Sequence, residues 1–271
     1  MKENDLIFID EKYGEHERQS FDLFIPAGYG DRDGLILFIH GGAWIAGVKE
    51  QYRGELEKWC ARGYAAAAIN YRYISEDVHM DALLDDITAA LTEIRKLALA
   101  HGAALKRMLL TGASAGGHLS LLYAYAKAEI SPLKPVGVID YCGPAWLPDD
   151  GLLYGTPKRY PPEEKWTELF SNVVGFPLKK EEEQRAKDAL MLYSPVRYVT
   201  PDSPPTIICH GQKDDVVPFS NAVALRDALE ANGVEYVFLP MPLAGHPLEQ
   251  KEIMEESEVL FEMYAKRFLG A

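Results

Sequence analysis

The sequence predicts an α/β fold: a mostly parallel central β-sheet flanked by helices. Three observations carry that expectation. Short apolar runs alternate with helix-period segments along most of the 271 residues. Several runs are apolar at consecutive positions, as in Gly-Leu-Ile-Leu-Phe-Ile at 34–39, which suits strands covered on both faces. The length is sufficient for one large domain with its own core.

The elements follow in order. Residues 17–26 read as an early strand compatible with an antiparallel edge. Residues 34–39, 64–71, 107–111, 135–141, 205–209 and 236–239 read as further strands. Between them, residues 81–99 place Leu83, Leu84, Ile87, Leu91 and Ile94 three or four apart, with charges on the other face. That pattern is a helix packing one side on the sheet. Residues 220–231 and 249–269 read the same way, Gly233 just past 220–231 fits a C-terminal cap, and residues 115–128 read as an apolar helix. Residues 144–195 break the alternation with Trp146, Tyr154, Tyr160, Trp166, Phe170 and Phe176 among prolines and glycines. At about fifty residues this is longer than an ordinary loop. It is expected to be a cap over the carboxyl ends of the strands, within a single domain spanning residues 1–271; a helical excursion packed on the sheet is the alternative.

Composition narrows the function. The net charge of −13 disfavours nucleic acid or an anionic membrane as partner, since phosphate binding needs a basic face. No run is apolar for long enough to span a bilayer. The start, Met-Lys-Glu-Asn-Asp, lacks a basic and apolar leader, so a cytoplasmic location is expected. Cys60, Cys142 and Cys209 are odd in number and without metal-like spacing, so neither a disulfide nor a metal or other cofactor is expected. A homodimer is compatible with the sequence and not dictated by it.

Gly112-Ala-Ser-Ala-Gly116 follows a strand and opens an apolar helix. In that setting G-x-S-x-G makes a turn so sharp that residues two positions either side of the serine must lack a side chain. The hydroxyl of Ser114 is lifted out of the sheet beside a helix N-terminus that favours developing negative charge. A serine needs a base, itself oriented by an acid. In chain order these follow the nucleophile, each in a loop after a later strand. Asp214 after the 205–209 strand and His246 after the 236–239 strand fill both places. Asp215 and Asp140 are alternatives for the acid. His16, His79, His101, His118, His210 and His40 have structural explanations instead.

His40-Gly-Gly-Ala-Trp44 follows the 34–39 strand. A tetrahedral intermediate needs backbone N–H donors for its oxyanion. Gly42 and Ala43 are the expected donors, with Ala115 after the nucleophile. Trp44 is expected to wall the acyl pocket, with plain packing as the rival role. Trp146 is expected on the substrate side through the aromatic insertion.

Together, His40-Gly-Gly-Ala-Trp44, Asn70-Tyr-Arg72, Gly112-Ala-Ser-Ala-Gly-Gly-His118, His210-Gly-x-x-Asp214 and Gly245-His246 resemble the α/β-hydrolase serine esterases of the bacterial acetyl esterase or carboxylesterase type. The resemblance spans roughly residues 20–265. It implies the α/β-hydrolase fold, Ser114, Asp214 and His246 as triad, the His40 segment as oxyanion loop, and cofactor-free hydrolysis of small acyl esters, acetyl above all. It also favours Asp214 over Asp215 by its spacing from His210-Gly211. Ala43 replaces a third glycine of many relatives, which disfavours bulky or tertiary-alcohol esters. The H-G-G-x-W form also resembles arylformamidases, so a formyl-amide hydrolase is the enzymatic alternative. Prolyl oligopeptidase relatives share His-Gly-x-x-Asp but carry a propeller for which this chain has no room. A non-catalytic binding protein on the same fold is the alternative of another class; the three competent triad positions argue against it.

Overall fold

The computed structural model describes residues 4–153, 163–179 and 182–270, without the side chains of 163–166. The strands are β1 Leu6–Lys12, β2 Ser20–Ile25, β3 Gly34–Ile39, β4 Ala65–Ile69, β5 Arg107–Ala113, β6 Lys134–Tyr141, β7 Thr206–Gly211 and β8 Tyr236–Met241. The helices are α1 Arg53–Ala61, α2 Met80–Ala100, α3 Ala115–Ala126, α4 Asp150–Leu153, α5 Glu163–Val174, α6 Glu183–Met191, α7 Ser220–Ala231 and α8 Lys251–Leu269.

The strands form one eight-stranded sheet in the order β1-β2-β4-β3-β5-β6-β7-β8. β2 pairs antiparallel with both β1 and β4, and every pairing from β4 to β8 is parallel. The period of two divides each central strand between two cores. Leu35, Leu37 and Ile39 of β3 face the core shared with α2, α3 and α7. Ile36 and Phe38 face the smaller core shared with α1 and α8. Burial on both sides is why β3, β4 and β7 are buried at every position.

Two elements lie beyond the sequence reading. β1 is an edge strand that buries no residue fully and bulges between Phe8 and Glu11, so its sequence never shows clean alternation. α1 is nine residues long with Gly54 inside it, and its three buried residues are Leu56, Trp59 and Cys60.

The 144–195 segment contributes α4, α5 and α6. Tyr154 and Tyr160 lie outside the described residues, as does the side chain of Trp166. The described apolar residues Leu152, Leu153, Leu169, Phe170, Val173 and Leu190 join the larger core with α2 and α3. The segment is tied to that side by Asn172 O, which His79 Nδ1 reaches at 2.8 Å, and by the Tyr193 hydroxyl, which donates to Asp81 Oδ2 of α2 at 2.9 Å. Among the described residues no helix is long and apolar enough to cross a membrane.

Candidate active site

Ser114 sits between β5 and α3 at φ 56° and ψ −124°. For a residue with a Cβ this conformation costs about 1–3 kcal/mol. The turn is held by the Ser114 N–H donating to Tyr141 O at 2.8 Å and by Ser114 O accepting the His118 N–H at 3.0 Å. Its two glycines are needed for clearance. A Cβ at Gly112 or at Gly116 would fall on the carbonyl oxygen of Ile39 in the neighbouring strand.

The imidazole of His246 reaches the site from the loop after β8. Its Nδ1 lies 2.7 Å from Asp214 Oδ2 in the loop after β7. The other oxygen, Asp214 Oδ1, accepts the N–H groups of Val216 and Val217, both at 2.8 Å. The carboxylate is fully buried and the histidine side chain 22% exposed. The Asp214 bond fixes the proton on Nδ1 and leaves Nε2 as the free base. The two loops are joined where the Lys213 N–H donates to Ala244 O at 3.0 Å.

The rival acids stand elsewhere. Asp215 is exposed. Asp140 is fully buried, with Oδ1 accepting the Gly143 N–H at 3.0 Å and Oδ2 without a partner. Burial raises its pKa well above the ordinary 3.8, which disfavours the charged form.

The other buried histidines are structural. His118 accepts from Trp44 Nε1 at 3.2 Å and lies 2.8 Å from Tyr193 O through Nε2. Desolvation lowers its pKa to about 4, so it is neutral. His210 donates through Nε2 to Val217 O at 2.9 Å, beside Asp214, and burial lowers its pKa too.

The loop after β3 lies against the serine turn. A Cβ on Gly41 would meet Ala113 O at 2.6 Å and the Ser114 Cβ at 3.4 Å. Gly42, Ala43 and Trp44 all have positive φ, at 112°, 49° and 61°. Gly42 O accepts the N–H groups of Ile45 at 3.0 Å and Ala46 at 2.9 Å. Ala115 opens α3, where an amide has no acceptor within the helix.

Sequence reasoning missed what holds this loop. Arg18 donates to Tyr71 O at 2.8 Å, His40 Nε2 at 3.2 Å and Gly47 O at 3.0 Å, with its guanidinium 3.6 Å from the Tyr73 ring centre. Tyr71 donates to His40 O at 2.9 Å and stacks on that imidazole at 4.2 Å. His40, whose Nδ1 lies 2.8 Å from Gly41 O, is desolvated to a pKa of about 4 and stays neutral. Arg18 precedes β2 with no motif around it, so nothing in the sequence marks it.

Ser114 and His246 line one cavity of about 860 Å³, together with Gly41 and Gly42. Ala43 and Ala115 are not on its wall, and neither are Trp44 and Trp146. Trp44 is 2% exposed and packs against His118 and Phe170. Trp146 borders a separate depression with Lys187 and Met191. No described residue of 144–195 lines the Ser114 cavity. Its described walls include residues of α1 and α8.

Cys142, Asp214 and His246 bring potential metal-binding atoms within 4.8 Å of one another. The donor set suits a hydrogen-bonded pair better than an ion. Asp214 and His246 already bond each other, and burial raises the Cys142 thiol well above its ordinary pKa, leaving a neutral and weak ligand.

A sheet of this order, a serine at the sharp turn after β5 and a histidine–aspartate pair from the last two strands define the α/β-hydrolase class. The chain belongs to the BD-FAE family, which matches residues 21–229. It is 27% identical over 247 residues to Esterase LipC of Mycobacterium tuberculosis, covering 86% of this chain and 58% of that one. It is 26% identical to the probable carboxylic ester hydrolase LipM of the same organism, covering 87% of this chain and 56% of LipM. The chain thus spans little more than half the length of these relatives. Esterase B from Lactobacillus rhamnosis has a TM-score of 0.76 at 22% identity, over 97% of this chain and 85% of that one. A truncated carbohydrate esterase from gut microbiota has a TM-score of 0.74 at 21% identity, over 96% and 97%. At such identities the structural likeness carries the fold alone.

Proposed function

We propose that this chain is a carboxylic ester hydrolase acting on small acyl esters, acetyl above all, through an acyl-enzyme on Ser114. The observation that carries the reading is the 2.7 Å contact between His246 Nδ1 and Asp214 Oδ2, on a histidine that shares a cavity with Ser114. Ser114 Oγ attacks the ester carbonyl while His246 Nε2 takes its proton, and Asp214 stabilises the imidazolium. The oxyanion is met by backbone amides. The loop donors are the amides of Gly42 and Ala43, with Ala115 across the site; Gly42 lines the Ser114 cavity. His246 then returns the proton to the leaving alkoxide as the carbon–oxygen bond breaks. A water deprotonated by the same nitrogen cleaves the acyl-enzyme, releasing the acid and the free serine.

Ser114→Ala is expected to lower kcat on p-nitrophenyl acetate on the order of 10⁶-fold with the fold intact. A fluorophosphonate should label the parent chain and not the variant. Near-normal turnover by Ser114→Ala would remove the nucleophile assignment.

A further inference from the structure

We propose that His210 is a positioning residue for the reaction: its ring N–H braces the Asp214 turn and keeps the Asp214 carboxylate in the orientation that engages His246. The inference rests on the esterase reading above and adds a fourth side chain behind its triad. His210 lies near the end of β7, four residues before Asp214, and both side chains are 0% exposed. His210 Nε2 is 2.9 Å from Val217 O and 3.5 Å from Asp214 Oδ2. The first contact is a hydrogen bond and the second an electrostatic contact at its outer limit. Burial lowers the pKa of the ring, which favours the neutral form with one proton. Two acceptors beside Nε2 place that proton there.

Three observations give this donor its role. The Val217 peptide is gripped from both ends: its N–H goes to Asp214 Oδ1 at 2.8 Å and its carbonyl accepts from His210. The Val216 N–H reaches the same Oδ1 at 2.8 Å. With Oδ1 fixed on these amides, Oδ2 is left to face His246 Nδ1 at 2.7 Å, and the His210 N–H adds a partial positive charge beside it where water does not screen. The ring is otherwise idle. It stands edge-on to Phe219 at 5.9 Å, and its Nδ1 has no hydrogen-bond partner among the described residues. An apolar side chain would fill the space without leaving a buried nitrogen unpaired, so what histidine supplies at this position is the Nε2 donor. Finally, a displaced Asp214 turn is felt directly at His246. A Cβ on Gly211 would fall on the carbonyl oxygens of Ala244 and Gly245, so the chain leaving His210 passes against the His246 loop.

The test is kcat and KM on p-nitrophenyl acetate for His210→Leu, His210→Gln and His210→Asn. Rates are expressed per serine labelled to completion by a fluorophosphonate, so unfolded protein does not count. His210→Leu removes the donor and is expected to lower kcat on the order of tenfold to a hundredfold, the scale of a displaced catalytic group, with KM changed less than about twofold. Glutamine carries an amide N–H where histidine carries Nε2, and asparagine where it carries Nδ1. His210→Gln should therefore recover most of the lost kcat and His210→Asn little of it. Should His210→Leu fail to fold, the comparison of His210→Gln with His210→Asn decides alone. Parent-like kcat in His210→Leu or His210→Asn, equal kcat in His210→Gln and His210→Asn, or a loss carried by KM overturns the positioning role and leaves the esterase reading standing. Absence of any Ser114-dependent ester hydrolysis by the parent chain removes the esterase reading itself, and the positioning role with it.

Discussion

Asp140 is a carboxyl group whose burial disfavours its charged form. It is wholly buried, one oxygen is bonded to the Gly143 N–H and the other has no partner. Its folded pKa lies well above 3.8 because burial penalises the anion. A group whose pKa rises on folding stabilises fully below the unfolded value, and that contribution is lost as pH climbs toward the folded one. Asp140→Asn keeps the shape without the titration. The difference in urea midpoint, variant minus parent, should therefore grow in the variant's favour as pH rises above about 4. A difference independent of pH would mean that Asp140 is charged in the fold. His40 and His118, each desolvated to about 4, are neutral at physiological pH, which confines proton transfer in the proposed reaction to His246.

Among the elements, the loop from His40 to Gly47 has the least regular backbone and the densest support. Consecutive positive φ values at Gly42, Ala43 and Trp44 aim its amides, and Arg18 fastens both of its ends through His40 and Gly47. Arg18 touches no residue proposed to react, so it is a positioning residue. A displacement of about 1 Å in such a loop can cost on the order of 10²-fold in rate. Arg18→Met should lower kcat tenfold to a hundredfold with KM changed much less, and Arg18→Lys should recover little of it, because a single ammonium cannot reach the same three acceptors. Equal changes in kcat and KM across an ester series, or full rescue by lysine, would reduce Arg18 to a packing role.

For the whole molecule, the antiparallel edge is joined to the parallel part of the sheet by an ionic knot around the buried pair Lys49 and Asp22. Lys49 Nζ, with a side chain 0% exposed, contacts Asp10 at 2.6 Å, Asp22 at 2.7 Å and Glu50 at 2.8 Å. Asp22 also holds Arg53 at 2.8 Å, and the Lys49 N–H donates to Asn70 Oδ1 at 2.8 Å. Burial works against the ammonium, yet the three carboxylates hold its pKa above the ordinary range. Removing one partner of a buried pair costs up to about 3–5 kcal/mol; here Arg53 still holds Asp22, so the lower end applies, about 3 kcal/mol. Lys49→Met should lose that much in urea unfolding, and adding Asp22→Asn should restore part of it. A loss below about 1 kcal/mol would show that the knot is dispensable.

What the sequence determined by itself is what local pattern encodes. Ile36 and Phe38 among leucines announce a strand buried on two faces, and the glycines around Ser114 announce a turn where a Cβ has no room, because both constraints act within a few residues. Chain order placed an acid from the loop after β7 beside His246, since loops at one end of a parallel sheet converge, and the family resemblance chose Asp214 over Asp215; the structure pairs it with His246. Tertiary structure alone decided the rest: that Arg18 braces Gly47, that Trp44 packs on His118, and that the Ser114 cavity is lined by residues of α1 and α8. Those outcomes depend on contacts between segments far apart in sequence, whose partners each residue meets only once the sheet has assembled.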